Sequence, residues 1–348
     1  MSIVLRGLND GNAAAWDRFV NAMPAGTFFH RSGWARVVET AFGHVTHYVL
    51  AERDGAITGV LPLARVKTRL FGDTLISNPF CVYGGPLAAD AESAAALAAE
   101  AEALRARTGA SAVEFRHREP IGNDGLEDTW IERPDLYVTF RRPIEADHER
   151  NMKAIPRKQR AMVRKGIQNG LTSVVDRNVD GLHKVYAESV RNLGTPVFSR
   201  RYFRILMNVF GDAADVVTIL HKDAPVAAVM NFYFREEVLP YYGGGSLAAR
   251  ACAGNDFMYW EVMRRAAERG SRLFDFGRSK IGTGAYAFKH NWGFAPEKLH
   301  YRYGLAPGAS IPEHNPMNPK YRLFIAAWKR LPLPVANMLG PFIVRGLG

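Results

Sequence analysis

Two kinds of apolar pattern alternate along the chain. The runs HVTHYVLAE (44–52), AITGVLPLARV (56–66) and TLISNPFCVYGG (74–85) are rich in β-branched and aromatic residues. Asp54-Gly55 and Phe71-Gly72-Asp73 between them carry turn chemistry, which predicts a strand meander. The Ala-rich stretch 93–107 follows Asp90 and stops at Gly109, the punctuation of a helix, and SAVEFRH (111–117) then returns to strand composition. Strands, helix, strand is the order of an α/β unit.

The same order recurs about 160 residues later. VVTILHKDAPVAAVMNFYF (216–234) and VLPYYGGG (238–245) precede a helix predicted from Asn255-Asp256 to about Arg269, followed by Gly270 and the strand RLFDFG (272–277). YVLAERDGAITGVLPL (48–63) aligns with VTILHKDAPVAAVMNF (217–232) around Asp54 and Asp223. Tyr83-Gly84-Gly85 aligns with Tyr242-Gly243-Gly244, and the strand after Gly109 with the strand after Gly270. Three correspondences in one order point to an internal duplication. The polar fraction rises after YVTF (137–140), so the expected organisation is one domain over 1–145, a second over 146–305 and an appendage over 306–348. Pro156 and Gly170 frame a further helix, RKQRAMVRKGIQN (157–169), with Val163 and Ile167 as its expected buried stripe.

With 348 residues, 47% of them hydrophobic and 23% charged, the chain has material for two packed cores, which excludes wholesale disorder and small disulfide-stapled scaffolds. The net charge of +11 and a pI near 9.7 favour phosphate-bearing partners. Cys81 and Cys252 lie far apart, as expected of reduced thiols, and make no metal-site spacing. The N-terminus lacks the basic-then-apolar plan of a signal peptide and no apolar run is long enough to span a bilayer, so a cytoplasmic location is expected.

The chemistry narrows by elimination. The ten His show no HExxH-like spacing, and the Gly-rich segments 241–246 and 277–286 hold neither a GxxxxGK[ST] loop nor a strand-linked GxGxxG. No metal, covalent nucleophile or nucleotide hydrolysis is therefore expected. On the helix 157–169, Arg157, Arg160 and Arg164 share a face flanked by Lys158 and Lys165, with no acid among them, which suits a polyanion. The segment FDFGRSKIGTGAYAFKHNWGF (274–294) gathers Arg278, Lys280, Phe288, Lys289 and Trp292 beyond a strand end, where α/β folds bind ligands. Lys289, set among aromatics, is a candidate for meeting developing negative charge.

FFHRSGWARVVETAFG, the basic PRKQRAMVRKG, GTPVFSRRYF, YYGGG, NDFMYWEVMRRAAERG, NPMNPKYRLFIAAWKRLP and above all FDFGRSK with FKHNWGF resemble the FemAB family of tandem-GNAT aminoacyl and acyl transferases. The likeness spans most of the chain and is strongest to the branch found with exosortase/PEP-CTERM exopolysaccharide systems. It implies two tandem GNAT-like domains, each a mixed, largely antiparallel sheet flanked by helices. It also implies N-acyl transfer from aminoacyl-tRNA to an amine of a cell-envelope precursor, related to peptidoglycan or exopolysaccharide, with no cofactor beyond the donor. Lys289, with Phe288 beside it in FK-x-x-[FW]-G, takes the oxyanion-stabilising role. Diphosphate binding falls to Arg36 and to Arg200 or Arg201. Asp256 and Tyr242 are the candidate proton acceptors.

The donor stays open between aminoacyl-tRNA and acyl-CoA. CoA-dependent GNAT proteins use an [RQ]-x-x-G-x-[GA] loop, and Arg250-Ala251-Cys252-Ala253-Gly254-Asn255 does not match it. An acyl-CoA-dependent enzyme acting on an exopolysaccharide amino sugar and a catalytically silent RNA- or glycan-binding module remain alternatives. The tail LFIAAWKRLPLPVANMLGPFIVRGLG mixes apolar clusters, prolines and cations, so it either lies on an anionic inner membrane surface or packs Phe324, Ile325 and Trp328 across the domains.

Overall fold

The structure, a computed structural model, describes residues 2–68, 71–120, 130–311 and 319–348. Residues 315–318 of the NPMNPKY motif lie outside the described residues. Two compact units each hold one eight-stranded sheet: the described residues of Met1–Tyr137, Lys298–His314 and Arg345–Gly348 form the first, those of Val138–Glu297 and Asn315–Val344 the second.

Along the first sheet the order is Val4–Gly7, Val45–Arg53, Ala56–Thr68, Gly72–Ser77, Ala112–His117, His300–Leu305 and Ile131–Arg133, with Leu87–Ala88 against Ala56–Thr68. Its parallel step joins Gly72–Ser77 to Ala112–His117. The second sheet runs Ser279–Lys280, Tyr137–Pro143, Leu273–Asp275, Glu237–Gly245, Ala224–Phe234, Ala214–His221 and Thr172–Asp176, with Pro296–Lys298 against Tyr137–Pro143 and a parallel step between Glu237–Gly245 and Leu273–Asp275. In each unit a helix pair follows a strand at the end of the sheet, Ala13–Ala22 with Gly33–Phe42 after Val4–Gly7 and Val179–Leu193 with Arg200–Phe210 after Thr172–Asp176. One helix bridges the parallel strands, Ala91–Thr108 or Gly254–Glu268. The aligned Asp54 and Asp223 mark equivalent hairpins: Asp54-Gly55 and Lys222-Asp223 both take positive φ, as a two-residue turn matched to strand twist requires. The chain is an α/β protein of two units built on one strand and helix plan.

Each bridging helix lays its apolar face on its own sheet. Leu97, Ala98, Ala101 and Leu104 cover Leu61, Leu63, Leu75 and Val113, and Phe257, Met258, Val262 and Met263 cover Val217, Val229, Val238 and Phe274.

The sequence order and the sheets disagree at two strands. Tyr137–Pro143, expected in the 1–145 domain, pairs with Leu273–Asp275 of the second sheet, and His300–Leu305, expected in the 146–305 domain, pairs with Ala112–His117 of the first. The two halves thus exchange a strand reciprocally. Alternating apolarity marks a segment as a strand but carries no record of its neighbour.

In the tail, helices Pro319–Arg330 and Leu333–Val344 pack on helix Val179–Leu193 within the second unit, with Trp328 buried and Ile325 against Gly194. The last residues are fixed in the first unit, where the Arg345 carbonyl faces His44 Nε2 at 2.8 Å and Arg116 donates to the Gly348 carbonyl at 3.0 Å. Among the described residues no helix is long and apolar enough to cross a membrane.

Candidate active site

The parallel step is where each sheet can open. In the first unit the gap is filled: past Ser77 the chain doubles back, Gly84 N–H donates to the Arg116 carbonyl at 2.8 Å, and a Cβ on Gly84 would stand 1.8 Å from the Ser77 carbonyl oxygen. Only glycine passes there. In the second unit the strands pair over Glu237 with Leu273 and Val238 with Phe274, then diverge, with Phe276 N–H turning to the Phe140 carbonyl. Beyond these two pairs, residues 239–245 of the strand have no parallel partner in the segment from Phe276 onward.

Lys289 is delivered to this segment by the helix Gly284–Asn291, whose start is capped by Thr283 accepting from Tyr286 N–H. Its ammonium donates to the carbonyls of Gly277 at 2.9 Å and Arg278 at 3.0 Å, and it lies 5.9 Å from the Phe140 ring centroid. Burial pulls its pKa down to about 7, with the Asp275 carboxylate opposing and the Arg278 guanidinium reinforcing the shift. An ammonium has three N–H donors, so one remains for a substrate oxygen.

The two carbonyls are themselves held in place. Asp275, fully buried, accepts from Gly277 N–H at 2.6 Å and Thr139 Oγ1 at 3.2 Å, and pairs with Arg141 at 3.4 Å. Arg141 also binds Glu237, the residue at which the parallel pairing begins. Gly277 takes φ +66, turning its carbonyl toward Lys289. None of Asp275, Thr139, Arg141 and Glu237 was singled out above. The available signal was an Asp between two Phe on a buried strand, which demands polar partners. Four residues after Asp275, the buried Ser279 Oγ has no hydrogen-bond partner among the described residues.

Of the other expected site residues, some gather here. Phe288 packs on Tyr259 and Trp292. Trp292, expected at the substrate surface, is 0% exposed and instead donates from Nε1 to Asp256 Oδ1 at 3.0 Å. Asp256 lies in the first turn of helix Gly254–Glu268. Burial raises the Asp256 pKa above the ordinary carboxylate value, and burial together with the Asp256 charge pushes neighbouring Tyr259 up to about 12. Arg278 and Lys280 flank the Lys289 contacts, both half-buried.

Others lie elsewhere. Tyr242 is buried on the opposite face of the sheet, its hydroxyl 2.6 Å from Tyr202 and its ring against Tyr186, Phe198 and Phe203. Strand alternation makes this unavoidable: Gly243 and Gly245 face Met258 and Asn255, so Tyr242 and Gly244 face Tyr186 and Ser189. Arg200 and Arg201 are exposed at the start of helix Arg200–Phe210 on that same far side, Arg200 lying 3.9 Å from Asp180. Arg36 belongs to the first unit, exposed in an open groove of about 850 Å³ with Glu39, His47 and Arg107.

The basic helix Arg157–Gln168 abuts the site. The turn after Trp292 requires Gly293, at φ +81, and a Cβ there would meet the Pro156 ring at 2.9 Å. Arg142 ties the same corner, donating to the carbonyls of Ala154 and Trp292 and lying 4.4 Å from the Phe294 ring centroid. Arg157, Lys158, Arg164 and Lys165 are exposed and Arg160 half-buried, and none forms an ion pair among the described residues. The buried stripe is Val163 and Gly166; Ile167 is 51% exposed, because Gly166 is where Phe257 makes its close approach.

Residues 152–290 match the protein family described as an acetyltransferase (GNAT) domain, so the second unit carries an acyltransferase domain of GNAT type. Solved structures with the same fold include FemX, 16% identical with a TM-score of 0.65 over 87% of this chain and 97% of that one. A protein described as the C-terminal domain of a lysylphosphatidylglycerol synthetase from Agrobacterium fabrum is 14% identical, with a TM-score of 0.57 over 86% of this chain and 94% of its own. A tandem GNAT protein from the clavulanic acid biosynthesis pathway is 14% identical, with a TM-score of 0.53 over 89% of this chain and 100% of its own. No curated protein sequence matches.

Proposed function

We propose that the chain is an N-acyltransferase working in its second unit, where Lys289 stabilises the oxyanion formed when an amine attacks an acyl ester. The observation that carries the reading is the ammonium clamped by two carbonyls, with one N–H left over, beside the point where the parallel pairing ends. The acceptor amine nitrogen bonds to the carbonyl carbon, negative charge collects on the carbonyl oxygen, and collapse expels the donor alcohol, which takes up the proton the amine gives away. Such a reaction needs alignment, charge stabilisation and one proton acceptor, and no covalent enzyme intermediate. Asp256, with its raised pKa, is the acceptor in this reading.

Aminoacyl-tRNA is the proposed donor and an amine of a cell-envelope precursor the proposed acceptor. The unpaired cations of Arg157–Gln168, joined to the site through Gly293 and Pro156, favour a long polyanion. Acyl-CoA is disfavoured because the segment that should cradle its pyrophosphate is partly wound into the short helix Leu247–Cys252, whose Ala249 carbonyl accepts the Ala253 N–H. Donor profiling of the purified protein tests the reading: transfer to an amine is expected from charged tRNA, and transfer from acyl-CoA alone would overturn the choice of donor.

A further inference from the structure

The helix Leu333–Val344 reverses the usual order of a helix on a protein surface. Eleven of its twelve residues are apolar and Asn337 is the exception. Yet the side it buries carries the small residues Ala336 and Gly340 with Val344, while Met338 is 62%, Leu339 39% and Phe342 78% exposed. The small stripe has a geometric cause: a Cβ on Gly340 would lie 2.8 Å from the Val197 backbone nitrogen, so only glycine lets the helix come this close. On the neighbouring helix Pro319–Arg330, Trp328 and Ile325 turn inward while Leu323 is 82% and Phe324 40% exposed. Surface helices of globular proteins put their large apolar residues inward. Here the helix Leu333–Val344 puts them outward, and Pro319–Arg330, although it buries Trp328, leaves Leu323 and Phe324 outside as well.

Charge chooses the occupant. Residues 315–348 contain five cations, Lys320, Arg322, Lys329, Arg330 and Arg345, and no Asp or Glu. Lys329 and Arg330 are exposed at the end of the first helix, without ion pairs among the described residues. Large apolar side chains beside unpaired cations, on helices too short to span a bilayer, match an interfacial element whose side chains enter the acyl boundary while its cations meet anionic headgroups. We propose that the outer face of these two helices docks the protein on an anionic lipid bilayer. The inference does not rest on which acyl donor or acceptor the enzyme uses.

Co-sedimentation of the full chain with phosphatidylcholine vesicles, with and without phosphatidylglycerol, tests it. The expected result is binding to the phosphatidylglycerol vesicles that weakens with added salt. The double variant Met338→Gln/Phe342→Gln, changed at exposed positions, should lose about tenfold or more of that binding. Lys329→Gln/Arg330→Gln should lose a similar factor on anionic vesicles alone. Absence of wild-type binding to the anionic vesicles, or equal binding by the apolar double variant, would overturn the proposal. So would a wild-type dimer that the apolar variant dissolves, since a second copy would then cover the face.

Discussion

Replacing Lys289 with Met keeps the length of the side chain and removes its charge, and the structure predicts two separable consequences. The first is energetic. Folding lowers this lysine from 10.5 to about 7, so between these values the unfolded chain binds the more protons and wild-type stability rises with pH. The full span is about 5 kcal/mol at about 1.4 kcal/mol per pH unit. Met lacks this dependence. The stability difference, variant minus wild type, should therefore be most favourable to the variant below pH 7, shrink as pH rises, and level off near 10.5. Gly277 and Arg278 lose a donor in the variant, which shifts the curve against it by about 1–3 kcal/mol per carbonyl without changing its slope. Urea denaturation across pH measures the slope, and groups common to both proteins cancel. The second consequence is catalytic: kcat should fall by about two to three orders of magnitude. A flat stability difference would refute the desolvation argument, and full kcat in the folded variant would remove Lys289 from the reaction.

Wild-type kcat should also lose ground as pH rises through about 7, because the oxyanion needs the protonated lysine; a rate that only rises would instead assign Lys289 as the base. Asp275→Asn should cost about 3–5 kcal/mol by breaking the buried pair with Arg141, and should lower kcat more than it raises KM, read by urea melts and steady-state kinetics. Tyr242→Phe should lose about 1 kcal/mol with the Tyr202 hydrogen bond and keep kcat; a large kcat loss would restore Tyr242 to the proton path. Gln at Arg157, Arg160 and Arg164 together should flatten the salt dependence of tRNA binding, and an unchanged slope would dismiss the helix as a polyanion dock.

What could be read from the chain were features encoded locally. Turns at Asp54-Gly55 and Asp223, the helix closed by Gly109 and the helix opened at Pro156 depend on residues within a few positions of each other, and all stand in the structure. The placement of Lys289 was legible because a cation among aromatics after a strand end is rare enough to notice. What escaped was decided by partners distant in sequence. Ile167 looked like core until Phe257 selected Gly166, and Trp292 looked like a ligand platform until Asp256 took its N–H. The carboxylate of Asp275 gains its meaning only from Thr139 and Arg141, residues on a strand that sequence order assigned to the other half.

That borrowed strand has a consequence for synthesis. As the chain leaves the ribosome, Ala112–His117 emerges early, but its neighbour His300–Leu305 is made only after the whole second sheet has been translated. Until then the first half presents an unpaired strand edge, the kind of surface that recruits other chains. A gene cut between the halves would fix that state permanently, and a second half begun at residue 146 would lack the strand that carries Arg141 beside Asp275. Although the halves share one plan, each would lack a strand of its sheet if it were expressed without the other.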